Sequence, residues 1–292
     1  MKYIFYFLII AGTLIFINNL EARCSFSVGL NECYYEDGQL YYVYVPIKAI
    51  KNIKNAKLLV SVHGYSGRLQ SRRGTRRVKR AAKRWRKVAN RLGIIVLAPQ
   101  FDRHRFKNDY QRLNIRGPRA DIRLNTLVAI IGKRFPGMNT KKIYFFGFSG
   151  GGQFVHRYAA LHPEKIAKAV AGGAGWYMWP DKRYIYPVGI RVPSRYKDFK
   201  IKLKELCSVK LLVLVGKMDE GRGAYRNRRR KLDLNSIQGR GRHQRGENWV
   251  RLMKAFAKKN KIPCNIEFGS VRGVGHKVSR RFKRLSIEYL LY

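Results

Sequence analysis

The sequence predicts an α/β protein with a mostly parallel central sheet and helices on both of its faces. Three observations predict it. Six short apolar runs, 57–62, 94–98, 142–146, 166–171, 209–215 and 264–271, are separated by helical or loop segments, and such alternation builds a parallel sheet whose crossovers cover both faces. An earlier run, Leu40–Val45 (LYYVYV), alternates and is rich in aromatics, which suits an antiparallel strand. No internal repeat or low-complexity linker divides the 292 residues, a length at which one α/β domain buries a large core.

Residues 1–22 read as a leader: one cation at Lys2, an apolar stretch over 3–17, then a polar end closing on the small residue Ala22. The apolar stretch is short beside the roughly 20 residues of a membrane span, and the layout is that of a cleaved signal peptide. Arg23 stands where a lipidated cysteine at position 24 needs a small neighbour, so no lipid anchor is expected. The expected location is secreted or periplasmic, with a single domain over 23–292.

Between the second and third expected strands, Val78, Ala81, Ala82, Trp85, Val88, Ala89 and Leu92 recur at helical spacing. This stripe predicts one amphipathic helix against the sheet, its outer face strongly cationic. Residues 102–121 form a long loop after a strand end, whose RGPRAD segment either orders the next helix or meets a ligand. After 142–146, Phe154, Tyr158 and Leu161 mark a helix that Pro163 stops. Residues 176–206, rich in Tyr, Trp, Pro and Lys, show no period and read as a lid-like insertion. Its aromatics Trp176 and Tyr177 belong either to the core or to a substrate pocket.

The formal net charge is +45, from 62 Lys and Arg against 17 Asp and Glu, with peaks over 68–91 and 222–231. Solubility needs far less. A field of this size attracts anionic polymers or membrane surfaces in a salt-dependent way; no specific nucleic-acid partner is expected. All four cysteines follow the leader, and an even count in an exported chain favours disulfides, with no CxxC spacing to suggest zinc. Cys207 and Cys264 each precede an expected strand, so parallel neighbours would bring them together. The expected pairs are Cys207 with Cys264 and Cys24 with Cys33.

The chemistry concentrates in GFSGGG at 147–152, directly after an apolar run. A strand that ends in GxSxG and turns at once into a helix lifts a serine hydroxyl clear of the sheet, which makes Ser149 the candidate nucleophile. Gly147 and Gly151 allow close backbone passage, and Gly150 places an amide after the serine, where an oxyanion would form. A serine needs a base, and the base an orienting acid. His276, in GVGH after the last expected strand, and Asp219, in VGKMD after 209–215, supply them in the chain order nucleophile, acid, base. Glu220 and Asp233 are rival acids, and His63 is the strongest rival histidine. HGYSG at 63–67 ends the strand 57–62 and resembles the segment that supplies a second oxyanion amide, from Gly64 or Tyr65.

HGYSG, GFSGGG, VGKMD and GVGH, in this order at expected strand ends, resemble the α/β-hydrolase superfamily over essentially the whole mature length. Residues 147–177 are similar to secreted bacterial esterases of the polyhydroxybutyrate-depolymerase-like and feruloyl-esterase-like kinds. The resemblance implies an α/β-hydrolase fold and hydrolysis of a carboxylic ester, small or polymeric, through an acyl-enzyme, without metal or organic cofactor. The same triad would also serve a peptidase or an acyltransferase, and the charge alone would suit a non-catalytic polyanion-binding protein on the same scaffold.

Overall fold

The computed structural model describes residues 24–65, 72–107, 109–221, 226–227 and 232–292. The leader, and most of the 222–231 charge run, lie outside the described residues. Eight strands form one sheet in the order β1-β2-β4-β3-β5-β6-β7-β8: β1 (Gly29–Tyr34), β2 (Leu40–Val45), β3 (Lys57–Val62), β4 (Ile94–Pro99), β5 (Ile143–Phe148), β6 (Ile166–Gly172), β7 (Leu211–Gly216) and β8 (Ile266–Val271). β1 and β2 pair antiparallel, β2 also runs antiparallel to β4, and the remaining neighbours are parallel. The expected parallel sheet and the early antiparallel strand are both present. β1 is additional.

Two-sided burial explains why the central strands are continuous apolar runs. Leu58, Val60 and Val62 of β3 face one side with Phe145, Val213 and Val215, while Leu59, Phe146, Leu212 and Leu214 face the other. The first side is covered by α3 (Ala120–Arg134), α4 (Gly150–Leu161) and α5 (Arg242–Lys259), through Leu124, Phe154, Tyr158 and Trp249. The second is covered by α1 (Arg72–Lys83), α2 (Arg86–Leu92) and α6 (Arg280–Leu291), through Ala82, Trp85, Val88, Phe282 and Leu290.

The single cationic helix expected over 78–92 is two. The Trp85 amide bonds back to Ala82 O at 3.3 Å, an i to i−3 contact that tightens the turn between α1 and α2. The fully buried indole at this joint donates to Ser61 Oγ at 3.0 Å, and Ser61 Oγ donates on to Ala81 O at 3.1 Å. The apolar stripe thus reaches the sheet through both pieces.

Cys24 and Cys33 are bonded and tie the segment before β1 to that edge strand. The bridge expected between Cys207 and Cys264 is absent: both are free thiols. The strand starts do converge, since the Asn265 amide donates to Cys207 O at 2.7 Å. Cys207, however, sits in the last turn of a short helix, Leu203–Ser208, and its thiol turns back to Leu203 O at 3.5 Å. Interaction between the two thiols pushes the Cys207 thiol up and holds that of Cys264 below its usual range.

Residues 176–202 form neither helix nor regular strand, as the lack of period suggested. The segment is pinned rather than loose: Tyr186, Val188 and Phe199 are buried, and Tyr186 Oη donates to Arg112 O at 2.6 Å. Among the described residues no helix is long and apolar enough to cross a membrane.

Candidate active site

Because β3 and β5 to β8 are parallel, their C-terminal ends share one rim, the place where sites gather in open α/β sheets. The turn from β5 into α4 stands there. Ser149 occupies φ 59° and ψ −115° between Phe148 and Gly150, a left-handed backbone that costs a non-glycine residue about 1–3 kcal/mol and persists only when its surroundings enforce it. Here the Ser149 amide donates to Gly172 O at 2.8 Å, and Ser149 O accepts from the Gln153 amide at 3.1 Å. The glycines are sterically required. A Cβ on Gly147 would lie 2.2 Å from Gly151 O, and one on Gly151 would lie 2.5 Å from Val62 O.

The structure brings the three expected residues together across 127 positions of sequence. His276 Nδ1 donates to Asp219 Oδ2 at 2.6 Å, and Nε2 accepts from Ser149 Oγ at 3.0 Å. The carboxylate therefore selects the tautomer that leaves Nε2 free to take a proton. Asp219 is buried, and its second oxygen accepts from Arg242 Nη1 at 2.9 Å. The rivals are elsewhere: Glu220 is exposed, and Asp233 caps a short helix by accepting from the Asn235 amide at 2.9 Å. The Phe148 ring flanks the imidazole of His276 at 4.9 Å and is itself met edge-on by Phe282 at 5.4 Å, bracing that imidazole from one side.

His63 has a supporting position. Its Nε2 accepts from the Phe101 amide at 3.0 Å, so Nδ1 carries the proton and donates to Gly64 O at 2.9 Å. Burial holds this imidazole neutral, with its pKa pushed down to about 4. The same physics applies to His156, which bonds Met178 N and Gly152 O and is held well below the usual range by burial. His162 pairs with Asp121, and His243 with Ser270 Oγ.

The segment 63–65 lies directly against the elbow. A Cβ on Gly64 would stand 3.5 Å from Ser149 Cβ, and one on Gly150 would stand 2.6 Å from the Tyr65 amide nitrogen. Neither the Tyr65 nor the Gly150 amide is used in the hydrogen bonds that join loops, turns and helix ends among the described residues. Two amides beside one serine hydroxyl can hold a developing oxyanion.

Two residues of the site carry no motif in the sequence. Tyr110 comes from the long loop after β4; its buried hydroxyl donates to His63 O at 2.9 Å and would lie 2.8 Å from a Cβ on Gly150. Arg242 is the first residue of α5, and nothing local marks it among so many arginines. The RGPRAD segment proves to order the structure: buried Asp121 at the start of α3 binds Arg119 and accepts from His162 Nε2 at 2.8 Å. Burial would raise the Asp121 carboxyl, but these two hydrogen bonds outweigh it and hold the group below its usual range. Trp176 and Tyr177 are packed inside. Trp176 lies under the Arg157 guanidinium at 4.4 Å, and fully buried Tyr177 stacks on Trp249 at 5.2 Å.

No protein-family model and no curated protein matches the chain by sequence. Solved structures do match it by shape. A poly(3-hydroxybutyrate) depolymerase from Bordetella parapertussis superposes with a TM-score of 0.69 at 19% identity, covering 89% of this chain and 88% of its own. A poly(aspartic acid) hydrolase from Sphingomonas sp. KT-1 gives 0.68 at 20% identity, covering 93% and 98%. An S-formylglutathione hydrolase from Agrobacterium tumefaciens gives 0.55 at 15%, covering 92% and 98%. The chain has the α/β-hydrolase fold. In this chain the GFSGGG turn follows β5, Asp219 follows β7 and His276 follows β8, so each of the three side chains enters from the rim above its own strand.

Proposed function

We propose that the chain is an exported serine hydrolase that cleaves carboxylic esters through an acyl-enzyme. The observation that carries this reading is the continuous hydrogen-bonded path from Ser149 Oγ through His276 to buried Asp219 at the rim of an α/β-hydrolase sheet. His276 Nε2 takes the hydroxyl proton as Ser149 Oγ bonds to the ester carbonyl carbon. The carbonyl oxygen becomes an oxyanion against the Gly150 amide and that of Tyr65 or Gly64, each donor contributing about 2.7–4 kcal/mol to the transition state. Asp219 stabilises the imidazolium, which returns its proton to the leaving alkoxide as the carbon–oxygen bond breaks. Water, deprotonated by the same histidine, then releases the acid and restores Ser149.

Ester rather than amide cleavage is favoured by the likeness of residues 147–177 to secreted esterases; shape does not decide it, since one similar structure is a poly(3-hydroxybutyrate) depolymerase and another acts on poly(aspartic acid), a polyamide. Export is supported by the leader-like segment and by the Cys24–Cys33 disulfide. The test is fluorophosphonate labelling of the mature protein with peptide mapping, followed by turnover of p-nitrophenyl esters of increasing acyl length. Labelling on Ser149 that vanishes in His276→Ala, together with ester turnover, is expected. An unlabelled Ser149 in folded protein overturns the reading.

A further inference from the structure

A cleft of about 370 Å3 opens beside Asp219, lined by Lys217, Glu220, Arg240, Gly241, His243 and Gln244. Its walls follow from the chain course. Lys217 and Glu220 flank Asp219 on the turn after β7, and the residues from Arg240 onward lead into α5. Gly241 permits the approach, since a Cβ there would lie 3.1 Å from Glu220 Cα. The His243 amide donates to Asp219 O at 3.4 Å, tying the cleft floor to the backbone of the acid. The His243 ring is held by Ser270 Oγ at 2.9 Å and packs edge-on against Phe268 at 5.2 Å, so this wall is fixed from β8.

The cleft is cationic. Among the described residues Lys217 and Arg240 face it with Glu220 as the one carboxylate and neither cation enters an ion pair, whereas Asp219 next door is already committed to His276 and Arg242. The start of α5 adds its positive end, with no acidic residue in its first turn. A chain with 62 cationic and 17 acidic side chains has few internal carboxylates left to neutralise such a place.

We propose that this cleft is an anion subsite that receives a carboxylate of the substrate, so that the preferred ester carries negative charge beyond its scissile carbonyl, as an acidic oligomer or polymer does. The assignment rests on the Ser149 hydrolase reading for its chemistry. The subsite itself depends only on Lys217 and Arg240. Two charge-assisted hydrogen bonds to one carboxylate orient it as well as hold it, and the surrounding field raises the local concentration of such substrates.

The experiment compares p-nitrophenyl butyrate with the p-nitrophenyl half-esters of succinic, glutaric and adipic acids, in the mature protein, in Lys217→Gln/Arg240→Gln, and in Lys258→Gln/Lys259→Gln. The last variant removes the same charge from the far end of α5. Expected is a KM for at least one half-ester that rises about tenfold in the cleft variant alone, with butyrate turnover unchanged in all three proteins. Equal losses on butyrate and the half-esters, or equal losses in the cleft and far-end variants, overturn the subsite. If no ester is turned over, the hydrolase reading fails separately, and the subsite is read by titrating folded Ser149→Ala protein, with and without the cleft substitutions, with a fluorescent polyacrylate oligomer near physiological ionic strength (about 0.15 M). About tenfold weaker binding in the cleft variant supports the subsite; identical binding overturns it.

Discussion

Arg242 Nη1 sits 2.9 Å from Asp219 Oδ1, while the other oxygen of that carboxylate is bound by His276. The Asp219 carboxylate, the proposed acid of the triad, is thus fixed at both oxygens, and its orientation depends on a residue at the start of α5. Arg242 acts as a positioning residue. Removing its charge-assisted hydrogen bond in Arg242→Leu is expected to lower kcat roughly tenfold, with KM unchanged because the guanidinium is engaged by the Asp219 carboxylate. Arg242→Lys is expected to restore part of the loss. Steady-state kinetics on a neutral ester, with circular dichroism to verify folding, checks the split; a change in KM alone would place Arg242 against substrate instead.

Asp219→Asn keeps the shape of the site but removes the acceptor that selects the His276 tautomer. A kcat loss on the order of 10⁴ is expected. Glu220→Gln and Asp233→Asn, whose carboxylates do not touch His276, are expected to leave the hydrolysis of a neutral ester within about twofold of the parent. A ranking in which Glu220→Gln is the most damaging would move the role of the acid by one residue.

Tyr110 couples the loop after β4 to the oxyanion segment through His63 O. Tyr110→Phe deletes that donor in a buried place and leaves a carbonyl unpaired, so a stability loss of about 1–3 kcal/mol is expected, together with a fall in kcat as the Tyr65 amide loosens. Gly150→Ala acts more directly, because its methyl would press on both the Tyr65 nitrogen and the Tyr110 hydroxyl. A kcat loss of at least about 10² is expected there, with the fold retained by thermal melting.

The sheet was legible where burial is two-sided, because β4 and β7 then become unbroken apolar runs and β3 one broken only by Ser61 after its first residue. β1 was not. It is an edge strand paired only to β2, and its GLNECY stretch is half exposed, so it shows neither an apolar run nor a clean alternation. Ser149, Asp219 and His276 were legible because each is embedded in a local glycine-rich turn at a strand end. Tyr110 and Arg242 were not, because they reach the site through long connections whose course depends on packing rather than on neighbouring residues. Cys207 and Cys264 show the converse limit: strand register brought the chains together, but the direction of a side chain in a helical turn decided that no bond formed.

His63 makes the site acid-sensitive in a way that can be separated from catalysis. Its folded pKa is pushed down to about 4 by burial, whereas in the unfolded chain a histidine titrates near 6.5. Between these values the unfolded state binds a proton that the folded state refuses, so stability falls as pH is lowered from about 6.5 to about 4 and is fully present above that window. The difference amounts to about 3 kcal/mol from this one group. Denaturant melts at steps across pH 4–7 are expected to show this slope in the parent and a shallower one in His63→Gln, in which the amide can still accept from Phe101 but cannot titrate. A slope identical in the two proteins would assign the acid sensitivity to other groups, with the buried His156, also held well below the usual range, as the next to replace.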